Sequence, residues 1–283
     1  VIAPDAITSL LTILQEEQMR KRVTAAGGLD EHQREFIKLL QANSRSYRAH
    51  EVFRDFCEMA ALSISNSVDR TQFAEREARY LDIVKRYEPE QVARFPQMLV
   101  AVTESLEGGF HDCLGALFMA LELGDHWHGQ FFTPYHVANA MSRMTLTDAA
   151  SLIEQHGFIR VNEPACGAGC MVIAAAEAMR DEGHNYQRVM HVVAQDIEQT
   201  AVHMAYIQLS LLYVPGIVVH GNSLAMTEWS RWYTPAHVLG GWGARLRRRA
   251  EEQAAAAPPQ PTPESPPITG PAPAVAEAQM HLF

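Results

Sequence analysis

Three short apolar runs in the second half of the chain each end in polar residues, and alanine-rich or mixed apolar stretches separate them. In "GFIRV", Phe158, Ile159 and Val161 follow Gly157; in "HVVAQD", Val192 to Ala194 lead to Asp196; in "GIVVHGN", Ile217, Val218 and Val219 lead to Asn222. Runs of this length bounded by turn residues predict buried strands. The intervening "CMVIAAAEAMR" is built of strong helix formers without a breaker, so the order reads strand, helix, strand, helix, strand. The first half has a different period. Phe53, Phe56 and Ala60 fall at i, i+3 and i+7, and Tyr80, Val84 and Tyr87 at i, i+4 and i+7, which predicts helices packing their own core and makes these aromatics core residues. The expected organisation is a helical domain over 1–125, a half-sheet domain over 126–249 and, from 250, a disordered tail rich in Ala, Pro, Glu and Gln.

The junction between the first strand and its helix reads "NEPACGAGC". Gly167 and Gly169 there either only ease the chain around a corner or let a ligand approach the backbone at a helix N-terminus. The ends of the next strands favour a ligand. In an open parallel sheet the ligand lies across the carboxyl ends of the strands, and an acid at the end of the second, here Asp196, is placed to accept from ribose hydroxyls. Asn222 at the end of the third carries an amide able to pair with an adenine edge at the same rim.

"NEPACGAG" resembles the first motif of the adenine-specific (N6) DNA methyltransferases, most closely the modification subunits of type I restriction-modification systems. "GQFFTPYHVANAM" at 129–141 resembles the block that precedes this motif in that family, and "HDCLGALFMALEL" resembles its lead-in helix. The likeness runs from about residue 111 to about 226. It implies an α/β, Rossmann-like S-adenosylmethionine-dependent methyltransferase fold with a truncated parallel sheet behind an N-terminal helical domain. Phe131, Phe132, Thr133 and Pro134 would flank the methionine moiety. Glu163, Pro164, Cys166, Gly167 and Gly169 would form the turn under the cofactor, with Glu163 toward its ammonium group. Asp196 would hold the ribose, Ile197 would pack on the adenine, and Asn222 stands where the family usually has an aspartate that accepts from the adenine amine.

One element of the resemblance is missing. The family's catalytic loop, an Asp or Asn followed by two prolines and an aromatic residue, is not found. The adjacent prolines Pro258-Pro259 and Pro266-Pro267 lie in the tail, and "RWYTPAHVLGGW" at 231–242 reads as an aromatic turn packed on the domain. After Asn222 there are too few apolar runs for the remaining strands of a full sheet. The resemblance therefore implies S-adenosylmethionine as cofactor and DNA as partner, with no catalytic residue assigned. The alternative is a non-catalytic binding protein that engages a restriction-modification complex or DNA.

Charge and composition narrow the setting. A net charge of −10 is unfavourable for holding DNA, whose nonspecific affinity comes from neutralised phosphates, so a partner such as a specificity subunit becomes more necessary. Arg245, Arg247, Arg248 and Arg249 form a local basic run, read as the solvated end of a helix. No apolar stretch reaches the length of a membrane span, and "VIAPDAITSLLTILQEEQ" lacks the basic lead of a secretory signal, so the expected location is cytoplasmic. Four cysteines without a CxxC pair argue for reduced thiols and against zinc, and His126 and His128 read as polar surface rather than metal ligands.

Overall fold

The computed structural model describes residues 28–121 and 133–256. The first part is wholly helical: α1 (Glu31–Asn43), α2 (Ala49–Val68), α3 (Phe73–Val84), α4 (Pro89–Val92), α5 (Arg94–Glu107) and α6 (Cys113–Ala120). The second interleaves α7 (Tyr135–Thr145), α8 (Ala149–His156), β1 (Ile159–Glu163), α9 (Cys170–Asp181), α10 (Tyr186–Val189), β2 (Met190–Asp196), α11 (Gln199–Leu211), β3 (Gly216–Asn222), β4 (Thr227–Tyr233), α12 (Pro235–Leu239) and α13 (Trp242–Ala256). The mixed α/β architecture is thus the expected one, with helix predominating.

Local chemistry starts the helical layer. Asp30 accepts from the Gln33 amide at 2.7 Å while the Gln33 side chain accepts from the Asp30 amide at 3.0 Å, a reciprocal cap that satisfies two otherwise free donors. Phe36, Ile37 and Leu40 then fall on one buried face of α1. Phe36 meets the edges of Phe53 and Phe56 of α2 at centroid distances of 6.0 and 4.9 Å. Phe53, Phe56 and Ala60 are buried as their spacing predicts; Tyr87 is buried too, and Tyr80 and Val84 pack half-buried against the same core.

The sheet order is β1-β2-β3-β4. Strands β1, β2 and β3 are parallel, joined through α9 and α11, with Val161 beside Val192 and Ala194 beside Val218 in register. The expected half-sheet is therefore present, with one correction: β4 turns back antiparallel on β3, so the sheet is not purely parallel. Its sequence, TEWSRWY, hides this, because Glu228 and Arg231 break the apolar run. The aromatic segment 231–242 splits accordingly, Arg231 to Tyr233 ending β4 and Pro235–Leu239 forming α12. Trp232 and Trp242 are buried as packing groups. A second departure from expectation is α13, which continues through Ala256, since Glu251, Glu252, Gln253 and the alanines are strong helix formers and the first proline is Pro258.

Helical layer and sheet share one continuous apolar core, from Phe36 through the α9 and α11 residues to Trp232. Helix α11 lies between the sheet and α2 and is buried all round, from Thr200 to Ser210. Arg76 of α3, itself buried, lies 4.0 Å over the Trp232 ring and donates to the Arg231 carbonyl at 2.8 Å, which ties the helical layer to β4.

His203 on α11 sits edge-on to Trp232 at 4.9 Å, and neither ring nitrogen has a hydrogen-bond partner among the described residues. Burial, with the nearby positive charge of His220, Arg76 and Arg79, pushes its pKa down to about 3. The native state then keeps His203 neutral while the unfolded chain protonates near 6.5. Stability is intact above that pH and falls as pH drops toward about 3, by about 1.4 kcal/mol per pH unit. Replacing His203 with Leu removes this dependence and leaves no polar group unpaired. Urea unfolding of His203→Leu should lose about 2–3 kcal/mol less than the parent chain between pH 6.5 and pH 4.5; equal losses would show that this imidazole is not held neutral.

Candidate functional site

The turn between β1 and α9 is latched to the end of β2. The Cys166 amide donates to the Gln195 carbonyl at 2.9 Å, and the Gly167 amide donates to Asp196 Oδ2 at 2.8 Å. The other Asp196 oxygen accepts from the Glu198 amide at 2.9 Å, and Glu198 in turn caps α11 by accepting from the Ala201 amide. The carboxylate of Asp196 is therefore fixed at the carboxyl rim by two backbone amides, with lone pairs left for a ligand. Gly167 and Gly169 have φ of 53° and 96°, the left-handed region that side chains disfavour. A Cβ on Gly169 would also stand 3.4 Å from Ala205, so this glycine sets how closely the turn packs on α11. Helix α9 begins at Gly169 without a side-chain cap, leaving its first amides toward the rim.

Of the remaining sequence-derived residues, Glu163, Pro164, Thr133, Pro134 and Ile197 adjoin this turn or the end of β2, and Asn222 lies two strands from β1. Glu163 ends β1 and accepts weakly from the Ala165 amide at 3.3 Å, and Pro164 follows it. Thr133 lies above α9, where its carbonyl accepts from the Cys170 thiol at 3.3 Å, and Pro134 caps α7. Helix α7 is pinned to α9 by Glu177, which accepts from Tyr135 at 2.8 Å and Asn139 at 2.6 Å, so the 133–141 segment is held beside the turn. Ile197 follows Asp196 and is 59% exposed. Asn222 ends β3, but its side-chain oxygen accepts from the Ala225 amide at 2.9 Å, so this residue shapes the β3–β4 turn as well as facing the rim. Phe131 and Phe132 lie outside the described residues, as do His126 and His128.

The turn cysteines are packing groups. Burial raises the Cys170 thiol to about 12, and burial together with the charges of Asp196 and Glu163 raises Cys166 well above its ordinary value, so neither is a thiolate nucleophile. Among the described residues all four cysteines are free and no group of three metal-ligating side chains occurs.

Sequence reasoning missed the group that braces the turn from behind. Gln208 of α11 is fully buried; its Nε2 donates to the Ala168 carbonyl and to Asp112 Oδ1, both at 2.8 Å, and its Oε1 accepts from the Leu114 amide at 3.0 Å. A lone glutamine inside "AYIQLSLL" was the available signal. On the far side of β1 lies a groove of about 410 Å³, lined by Leu146, Leu152, Ile159, Val161 and Met171, and β1 has no strand beyond it among the described residues.

Residues 120–239 match the family model described as N-6 DNA Methylase, which bears out the resemblance carried by the glycine turn and the 129–141 block. No curated protein matches the chain. Among solved structures it is similar to a putative class I S-adenosylmethionine-dependent methyltransferase from Listeria monocytogenes. The identity is 14%, the TM-score 0.40, and the match covers 70% of this chain and 56% of that one. It is also similar to a type I restriction-modification methyltransferase subunit from Streptococcus thermophilus, at 16% identity and TM-score 0.31, over 69% of this chain and 40% of that one. A third is the ATP-dependent type ISP restriction-modification enzyme LlaBIII bound to DNA, at 13% identity and TM-score 0.35, covering 82% of this chain and 18% of that one. This chain thus spans little more than half of the first of these proteins and less of the others, and likenesses this distant decide nothing about activity.

Replacing Gln208 with Leu would remove the side-chain partner of the Ala168 carbonyl and the Leu114 amide, and would leave Asp112 with only the Gly115 amide. Gln208→Leu should cost about 2–4 kcal/mol in urea unfolding. A loss below about 0.5 kcal/mol would show that the network does not brace the turn.

Proposed function

We propose that this chain binds S-adenosylmethionine at the β1–α9 turn and serves methylation of adenine N6 in DNA within a restriction-modification assembly. The observation that carries the reading is the Asp196 latch. A carboxylate at the end of the second parallel strand is held by the amide of the glycine turn, inside the region that matches the N-6 DNA methylases. The residues fit such a cofactor. Asp196 would accept from both ribose hydroxyls, and Ile197 would cover one face of the purine. Glu163 would attract the ammonium group, and the uncapped start of α9 offers amides to negative charge. Thr133 and Pro134, with Phe131 and Phe132, would close over the methionine end, and Asn222 would reach the purine's amine through what its oxygen leaves free after Ala225.

When bound, the cofactor supplies an electrophilic methyl group on a sulfonium. The part of this chain in that chemistry is positioning, which is the larger share of catalysis in a direct displacement between two oriented partners. No described side chain is assigned to draw on the target amine. That group would come with the DNA-holding partner, and the net charge of −10 also argues that DNA is held with a partner's help. A second reading, binding of the cofactor without transfer, is favoured by the missing proline-aromatic loop. No helix among the described residues is long and apolar enough to cross a membrane.

Calorimetric titration with S-adenosylmethionine tests the reading. Saturable binding is expected, weakened about tenfold or more in Asp196→Ala at unchanged circular dichroism; equal binding by the variant would remove Asp196 from the site. The purified chain alone should incorporate no labelled methyl into DNA, and incorporation would show that it carries its own amine-activating loop.

A further inference from the structure

The two ends of the sheet treat their large apolar side chains differently. At the amino end Phe158 and Trp242 are buried against each other at a centroid distance of 5.1 Å. At the carboxyl rim Ile197, Leu224, Met226 and Trp229 are left 59%, 97%, 90% and 56% exposed. Exposed clusters of this kind on an otherwise polar rim mark a binding surface. The β3–β4 turn that carries them is held open in a defined shape: Asn222 bonds Ala225, Met226 has a φ of 53°, and the register slips at His220/Gly221 so that Trp229 is set outward. The Trp229 ring stands edge-on to His220 at 4.7 Å, and His220 Nε2 lies 3.2 Å from the Ile197 carbonyl. An unbroken line of contacts therefore runs from the end of β2 to the indole.

We infer that Trp229 and His220 form, with Ile197, an aromatic wall that receives the purine of the nucleoside whose ribose Asp196 holds. The inference rests on the cofactor reading above and adds residues to it. His220 is the register partner of Asp196 on the neighbouring strand, about 4.8 Å away. A base attached to a ribose on Asp196 and directed along the rim reaches β3 after that one strand spacing, where the imidazole and indole stand. The exposed face of the Trp229 indole, with the His220 ring set edge-on beside it, suits a purine, and aromatic stacking is tolerant of which base it meets. Selectivity for adenine is then left to the polar groups of Asn222.

S-adenosylhomocysteine is the probe, followed by calorimetry and by tryptophan fluorescence. The chain has four tryptophans, and Trp232 and Trp242 are buried. The parent chain should bind the probe with quenching. Trp229→Ala should weaken binding about tenfold, and Trp229→Phe should bind within about threefold while losing most of the quenching. The phenylalanine variant keeps the test decisive if the alanine variant does not fold. Parent-like binding in Trp229→Ala with quenching retained in Trp229→Phe would overturn the wall and leave the cofactor site standing. No binding by the parent chain would overturn both. Loss of affinity for a DNA oligonucleotide in Trp229→Ala, with the probe bound as before, would show that the indole serves nucleic acid and would overturn the assignment.

Discussion

The side-chain amide of Gln208 joins the glycine turn, the start of α6 and its own helix α11 through three buried hydrogen bonds. It bonds the carbonyl of the glycine turn, the carboxylate that starts α6 and the first free amide of that helix, all out of contact with water. In the interior an unmade bond of this kind costs the desolvation of the group left without a partner, so turn, α6 and α11 are held together. The turn behind the candidate site is thereby referred to the helical layer, and α11, which carries Gln208, becomes the spine between that layer and the sheet. Burial of α11 on every side follows from this role.

The same logic places the acidic end of β2. Asp196 is held from the turn side by Gly167 and from the helix side by Glu198, so its position depends on both crossovers being formed. The positive φ of Gly167 and Gly169 is part of that constraint, since the amide of Gly167 can face Asp196 only with the turn wound in the left-handed region. The carboxylate at the rim is thus held by backbone amides, which would lower the ordering cost of holding a ligand there.

Much of this was legible in the sequence for a physical reason. Strands β2 and β3 are mostly buried, so their apolar runs are nearly uninterrupted, and the edge strand β1 still keeps Ile159 and Val161 on its covered side. The residues that end them must be polar because they emerge at the rim. The glycine turn was legible because glycine enters its left-handed conformations without the strain that a side chain brings. Three features were not. Strand β4 is an edge strand with charged Glu228 and Arg231, so its alternation is blurred. Helix α11 is buried all round, which erases the 3.6-residue period and gives no hint that His203 and Gln208 face interior partners or none. Asn222 reads from sequence as a free amide, whereas its oxygen is partly used in forming the turn that follows.

Strand order also decides where the reacting end of the site lies. With the order β1-β2-β3-β4, the β3–β4 turn is two strand spacings, about 10 Å, from the turn after β1. In the proposed cofactor reading the aromatic groups of β4 would stand at the purine end of a ligand laid along the rim, not at the methionine end near Glu163 and Thr133. They are too far along the sheet to stack on an acceptor base beside a transferring methyl group. In that reading the acceptor would approach from the β1 side, where the edge strand presents Arg160 and Asn162 outward and the groove runs beneath α7 and α8. The three parallel strands and the helical layer behind them would thus serve to hold the proposed cofactor, and the chemistry at its methyl group would fall to whatever occupies the other side of β1.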